Sequence, residues 1–336
     1  LIVLPSMGST KMRLSNVELS SMAKDNFRYQ TKKILQILLV VYVGLTAAET
    51  LLRRIAGMGW FDAVCNSFST IATGGFCTKN ASIAAYNSVS IEIIIMFFMM
   101  ISGLHFGLIF GTLTGKNNNI FRSEISRYYV LSLLIGGCVI AADLWINGYY
   151  PNFWTSLRYG LFEMISVSTT TGFATVDTSV WSPLAIILLM LFTIQCACAG
   201  STAGGIKCDR MLLSFKAIKA MIIQRQHPNA IIRVKMNGVI QENHTVNMAV
   251  LFIIVYLILV GAGTVIFCAF NIDLETSFSM TISSMANAGT GFGEVGSMDN
   301  YHNVPTLAKA INTILMLLGR LEIFGFLQLF LINRWK

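Results

Sequence analysis

Charge is what this sequence has least of: Asp, Glu, Lys and Arg make up 12% of its 336 residues, whereas an average soluble protein carries about 25%. So few ionised groups cannot cover the surface of a water-soluble globule. Disorder is excluded as well, because 22 Phe and long runs of Ile, Leu and Val would collapse in water. Histidine is rarer still, with four in the chain. Neither a Ser-His-Asp set nor a paired-carboxylate or redox constellation is found, so nothing points to an enzyme. The seven cysteines (65, 77, 138, 196, 198, 208 and 268) lie mostly in apolar stretches or beside glycine and lack zinc-type pairing. They read as small buried residues. The solvent that fits this composition is the lipid bilayer.

Six stretches are apolar and long enough to cross as helices, near 33–52, 90–114, 127–147, 182–200, 246–270 and 307–332; about 20 helical residues are needed. A further helical stretch, 209–226, carries Arg210, Lys216, Lys219 and Arg225 and reads as a cytosolic or interfacial continuation. The net charge of +8 needs no nucleic acid to explain it. With the N-terminus cytoplasmic, 18 of the 24 Lys and Arg fall on cytoplasmic segments. Arg53, Arg54, Lys79, Arg158 and Lys309 fall outside, and Arg320 lies within a span. That bias fixes the orientation of a multi-pass protein.

Three other apolar stretches, near 61–72, 154–169 and 275–287, are too short to cross. All fall on the outer side, and each ends in a similar phrase: TGGF (Thr73, Gly74, Gly75, Phe76), TTGF (Thr170, Thr171, Gly172, Phe173) and GTGF (Gly289, Thr290, Gly291, Phe292). Counted by the glycine before Phe, the phrases stand at 75, 172 and 291, spaced 97 and 119 residues apart. Each interval holds two spans, so each short stretch dips in and returns on the same face. The repeat unit is helix, re-entrant half-helix with a glycine loop, helix.

Non-helical backbone at membrane depth is tolerated only where protein buries it or where it lines water. Glycine opens φ angles closed to other residues, so successive carbonyls can point one way and replace the water shell of a cation. The negative C-terminal end of the short helix adds to this. Threonine hydroxyls supply a further oxygen or brace the backbone, and Phe packs behind the glycine. One TGGF alone reads better as an ordinary helix C-cap; three copies at matching positions favour a pore.

The stretch CACAGSTAGGIKC (196–208) holds too many glycines for a comfortable helix. It is not a phosphate-binding loop: Lys207 stands two residues after Gly205 and no strand precedes it. Cys196, Cys198 and Cys208 lack the His or carboxylate partners of a metal site. Helix arithmetic from Trp181 places the stretch near the cytosolic face, roughly 29 Å along the helix. Arg320 lies about 13 residues into the last span. An intramembrane arginine is a functional candidate by default, with a structural ion pair to another helix as the alternative. Glu322, two residues on, does not share its helix face. Glu49, Glu92, Asp143 and Glu163 are candidates for enriching cations at an outer mouth, with Asp62, Asp177, Asp273, Glu275, Glu294 and Asp299; solvated or capping roles fit them too. His105 reads as packed rather than proton-relaying.

These residues resemble a known family. STIATGGFCTKNASI (69–83), SVSTTTGFATVDTSVW (166–181) and NAGTGFGEVG (287–296) are similar to filter segments of the Trk/Ktr/HKT potassium transporter superfamily. CAGSTAGGIK (198–207) and GRLEIF (319–324) resemble two further signatures of the membrane subunits of bacterial Trk systems. The resemblance implies an all-α polytopic membrane protein with four helix–pore loop–helix units around one pore. The three visible here would be the second, third and fourth, with LIVLPSMG similar to the cytosolic end of the first. The segments would then be 1–32 as that end and a linker, 33–115, 116–235 with a broken inner helix, and 236–336. Potassium would be held at the backbone carbonyls of Thr73, Gly74, Gly75, Thr170, Thr171, Gly172, Gly289, Thr290 and Gly291. Gly200, Ser201, Thr202, Ala203, Gly204 and Gly205 would form a gate loop under the filter, within 196–208, with Arg320 facing the pore against it. The resemblance further implies a homodimer in the bacterial inner membrane, no cofactor in this chain, and a cytosolic nucleotide-binding regulatory subunit of the TrkA type. The basic stretch 207–235 and the C-terminus are its expected docking sites. A sodium or mixed cation permease and a non-conducting assembly subunit are the alternatives.

Overall fold

The computed structural model describes residues 31–115, 119–227, 229, 232–321 and 323–325. Its helices fall into three successive units. The first runs through α1 (Thr31–Ile55), the short α2 (Trp60–Ile71), α3 (Val89–Ser102) and α4 (Phe106–Leu113). The second comprises α5 (Glu124–Ile146), α6 (Phe153–Ser168), α7 (Pro183–Gln195) and, after a loop, α8 (Cys208–Gln226). The third is α9 (Asn243–Cys268), α10 (Leu274–Ala286) and α11 (Thr306–Arg320). A hairpin, β1 (Lys235–Met236) and β2 (Val239–Ile240), turns on Asn237 and Gly238, both at positive φ, as the tightest hairpin turns require.

Within each unit the short helix packs on the helix before it and on the one after it. Between units, α3 packs on α6 and α7 on α10. The units therefore follow one another in chain order, each inner helix leaning on the next short helix. The short helices α2, α6 and α10 occupy the three stretches expected to re-enter, each beginning one residue earlier than the sequence indicated.

Helix ends follow from local chemistry. Ser182 caps α7 by accepting from the Ala185 N–H at 3.2 Å, with Pro183 at the first helical position. Asp273 caps α10 through the Thr276 N–H at 3.0 Å.

Polarity is inverted relative to a soluble protein. Leu131, Leu134, Ile135 and Val139 on α5 and Leu251, Ile254, Leu257 and Ile258 on α9 are exposed. The short helices instead bury hydroxyls: Ser156, Ser166 and Ser168 on α6, and Thr276, Ser277, Ser279, Thr281, Ser283 and Ser284 on α10. Apolar side chains facing outward and hydroxyls facing inward suit a lipid surround.

α1 over Leu35–Ile55, α5 and α9 are each long and apolar enough to cross a membrane. The span expected over 90–114 is not straight: α3 and α4 meet at 103° across Gly103–His105. The helix expected over 182–200 stops at Gln195. The last span is helical to Arg320 and again over 323–325. The expected cytosolic end at 1–30, Glu322 and the stretch 326–336 lie outside the described residues.

Candidate functional site

Each short helix ends in the same backbone figure. Left-handed residues stand at Thr73 and Gly75 (φ 52° and 68°), at Thr170 and Gly172 (56° and 81°), and at Asn287 and Gly289 (57° and 85°). The residue between them closes back on the helix: Gly74 N–H to Ser69 O at 2.7 Å, Thr171 N–H to Ser166 O at 3.0 Å and Ala288 N–H to Ser283 O at 2.9 Å. The three loops thus share one backbone register, offset by 97 and then 117 residues, as the numbering of Gly75, Gly172 and Gly289 shows.

This corrects the spacing of 119 residues obtained by matching the glycine before Phe. Gly289, not Gly291, is the backbone counterpart of Gly75 and Gly172. Gly291 belongs to the returning limb, where its N–H donates to Val295 O at 3.1 Å. Phenylalanine behaves unevenly as well: Phe173 and Phe292 are buried, but Phe76 is 84% exposed.

The loops abut in sequence. A Cβ added at Gly75 would lie 2.0 Å from Thr171 O, and one at Gly172 would lie 2.2 Å from Ala288 O. Both glycines are obligatory on two counts, left-handed φ and direct contact with the next loop's backbone. Among the described residues, nothing lies within 4 Å of the equivalent position at Gly289.

Side chains of the short helices hold the loops in place. Ser166 Oγ donates to Phe173 O at 2.6 Å, and buried Glu163 accepts from the Thr175 N–H and hydroxyl at 2.8 and 3.1 Å. Ser279 Oγ donates to Phe292 O and accepts from its N–H, both at 3.0 Å. The first loop is tied to the second by Ile83 N–H to Ala174 O at 3.1 Å. Arg53, fully buried beside its ion-pair partner Glu49, donates to Thr70 Oγ1 near the end of α2. Arg158 grips Glu92 through two hydrogen bonds of 2.5 and 2.6 Å, tying α6 to α3.

The stretch 196–208 lies against the inner ends of these loops. Thr202 Oγ1 donates to Ile71 O, the last residue of α2, at 3.0 Å. The Gly204 N–H donates to Thr170 Oγ1 at 3.1 Å, and a Cβ on Gly204 would lie 2.1 Å from Ala286 O at the end of α10. All three loop units are therefore in contact with residues 202–204. Arg320 Nη1 donates to Thr202 O at 3.0 Å, so the loop is held from below by a cation. Lys207 Nζ donates to Ala203 O, Ser201 Oγ to Cys198 O at 2.6 Å, and the Ala199 N–H to buried Asp209 Oδ1 at 2.7 Å.

Comparison with known proteins places the fold in a family. The model of the family described as TrkH, cation transport protein, matches residues 1–135 and 151–334. The chain belongs to the TrkH family. It is 33% identical over 336 residues to the Trk system potassium uptake protein TrkH of Salmonella typhimurium, covering 99% of this chain and 69% of that protein. It is 32% identical over 341 residues to the Escherichia coli K12 protein of the same name, with the same two coverages. The crystal structure of the potassium transporter TrkH from Vibrio parahaemolyticus superimposes with a TM-score of 0.86 at 27% identity, over 96% of this chain and 70% of that one.

Within this TrkH fold the residues singled out from sequence divide clearly. Thr73 to Gly75, Thr170 to Gly172, Gly289, Thr202, Gly204 and Arg320 come together. Thr290 lies beside the second loop, its Cγ2 3.7 Å from the Cβ position of Gly172. Four of the carboxylates offered for an outer mouth have partners inside the fold: Glu49 pairs with Arg53, Glu92 with Arg158, Glu163 anchors a loop, and Asp143 accepts from Ser182 Oγ. Arg53 was counted among outer basic residues, yet it is buried. Its spacing of four from Glu49 was the available signal.

Proposed function

We propose that this chain forms the pore of a bacterial potassium uptake system, carrying potassium across the inner membrane. The observation that supports it most is the shared register of Thr73–Gly75, Thr170–Gly172 and Asn287–Gly289. Glycine at the third position of each loop lets backbone carbonyls turn toward one axis, where they substitute for the water around a dehydrated cation. The C-terminal ends of α2, α6 and α10 add negative partial charge near that axis. Residues 200–205 block the path beneath, and Arg320 both holds the loop and opposes cation passage with its charge. In this reading a fourth helix–loop–helix unit closes the ring beside Gly289.

The protein acts as a homodimer with a cytosolic nucleotide-binding subunit that controls the gate, and it catalyses no covalent reaction. Lys219, Arg225, Arg233 and Lys235 are exposed and are basic residues this reading offers to that partner; Lys216 is paired with Glu124. The test is ion uptake into vesicles holding the purified intact protein. Potassium entering in preference to sodium is the expected result. Equal uptake of both ions would make it a mixed cation permease, and no uptake in any ionic condition would make it a non-conducting subunit.

A further inference from the structure

The break between α3 and α4 lies directly against the loop read as a gate. The Cys198 N–H donates to Gly103 O at 3.0 Å, and the Phe106 N–H donates to Gly200 O at 3.2 Å. These two main-chain bonds join one interrupted helix to another across the molecule. Between them the His105 ring stands against Gly200: a Cβ there would lie 2.4 Å from Cδ2 and 2.6 Å from Nε2. Gly103 is equally confined, its Cβ position 2.2 Å from the hydroxyl of buried Tyr129 and 3.1 Å from Ala197 Cβ.

The His105 ring is itself fixed. Its Nδ1 accepts from the Gly107 N–H at 3.0 Å and caps α4. A neutral ring that accepts at Nδ1 carries its proton at Nε2, on the side of Gly200. The helix cap therefore sets the ring's orientation, and the ring forms a wall for the loop. On its far side α4 packs against α1 and ends at Leu113.

We propose that the bend at Gly103–His105 is the seat of the gate loop and that His105 is the positioning residue that keeps Gly200 to Gly205 under the filter. The inference rests on reading those residues as a gate. It adds that movement of α4 on the cytosolic side loosens the loop from below, since Gly103, His105 and Phe106, at the bend and the start of α4, carry the contacts.

A double-mutant cycle in the intact protein tests it, combining His105→Asn with Gly200→Ala. Asn retains an acceptor for the Gly107 N–H, so α4 stays capped while the wall is removed. Potassium efflux from vesicles per folded molecule, without the cytosolic partner, is one readout; the thermal unfolding midpoint in detergent is the other. His105→Asn should raise efflux roughly tenfold, the shift that about 1.4 kcal/mol produces. Gly200→Ala should raise it similarly, and the two together no more than either alone. The penalty of placing alanine at the left-handed Gly200, where φ is 76°, is common to both backgrounds and cancels in the cycle. Unchanged efflux in both single variants would overturn the proposal even if their midpoints fall, because His105 would then be structural only. Additive effects in both readouts would overturn it too, since residues in contact couple. If the wild-type protein passes no cation at all, the transport reading fails by itself. The unfolding cycle then still decides whether His105 seats Gly200, with coupled shifts supporting the contact and additive shifts refuting it.

Discussion

Replacing Gly172 by serine is the sharpest test of the proposed filter. Gly172 has φ 81°, and a Cβ there would sit 2.2 Å from Ala288 O. A carbon and a carbonyl oxygen in close contact stay about 3.3 Å apart, so the second and third loops must separate by about 1 Å. The left-handed backbone costs about 1–2 kcal/mol for a residue with a side chain, and overpacking of a close-packed site about 1–3 kcal/mol. A selectivity that depends on carbonyl spacing should fall at least tenfold under a perturbation worth about 1.4 kcal/mol or more. The assay is uptake of potassium and of sodium into vesicles, each normalised to folded protein, in wild type and Gly172→Ser. A potassium-to-sodium ratio unchanged from wild type, at normal flux, would refute the assignment of Gly172 to the ion path.

Gly289→Ser in the intact protein should damage selectivity as severely as Gly172→Ser, because a fourth loop is expected to abut it; a mild effect measured in the same assay would contradict ring closure. Arg320→Ala removes the donor to Thr202 O and an intramembrane charge, so partner-independent flux per folded molecule should rise, and shortening residues 201–205 should do the same; lowered flux per molecule in both would exclude the gate. Arg53→Met strands Glu49 in a buried site and should destabilise the protein by about 3–5 kcal/mol, seen as a lower unfolding midpoint in detergent. Glu163→Leu leaves the Thr175 N–H and hydroxyl without their acceptor, at about 1–3 kcal/mol for each buried group, whereas Glu163→Gln keeps a carbonyl oxygen and should be far milder on the same measurement.

The short helices were legible from the sequence within one residue because hydrophobic length, glycine and topology all acted together. The interruption after Gln195 was legible from its density of glycines. The α3–α4 break was not. IIIMFFMMISGLHFGLIF is apolar on every face, so periodicity carries no information, and a single Gly103 rarely stops a helix alone. What bends the chain is tertiary: Gly103 O and the Phe106 N–H bond to Cys198 and Gly200 of the 196–208 loop instead of continuing a helix. The register of the third loop was misread for a different reason. GTGF matches TGGF and TTGF by letters, but the backbone is set by the left-handed residue that ends each short helix. In the third unit that residue is Asn287, which favours the conformation as Thr73 and Thr170 do not. Arg53 was hidden because charge near a span end suggests solvent, while Glu49 one turn away and Thr70 on α2 allow it to be buried.

The most direct measurement is the position of a bound ion. Rubidium or thallium diffused into the intact protein and located by anomalous scattering should lie on the axis level with the carbonyls of Thr73–Gly75, Thr170–Gly172 and Asn287–Gly289, above Gly200 to Gly205. Ions found beside Gly291 and Phe292 instead, or no ion at the level of the three left-handed glycines, would contradict the account.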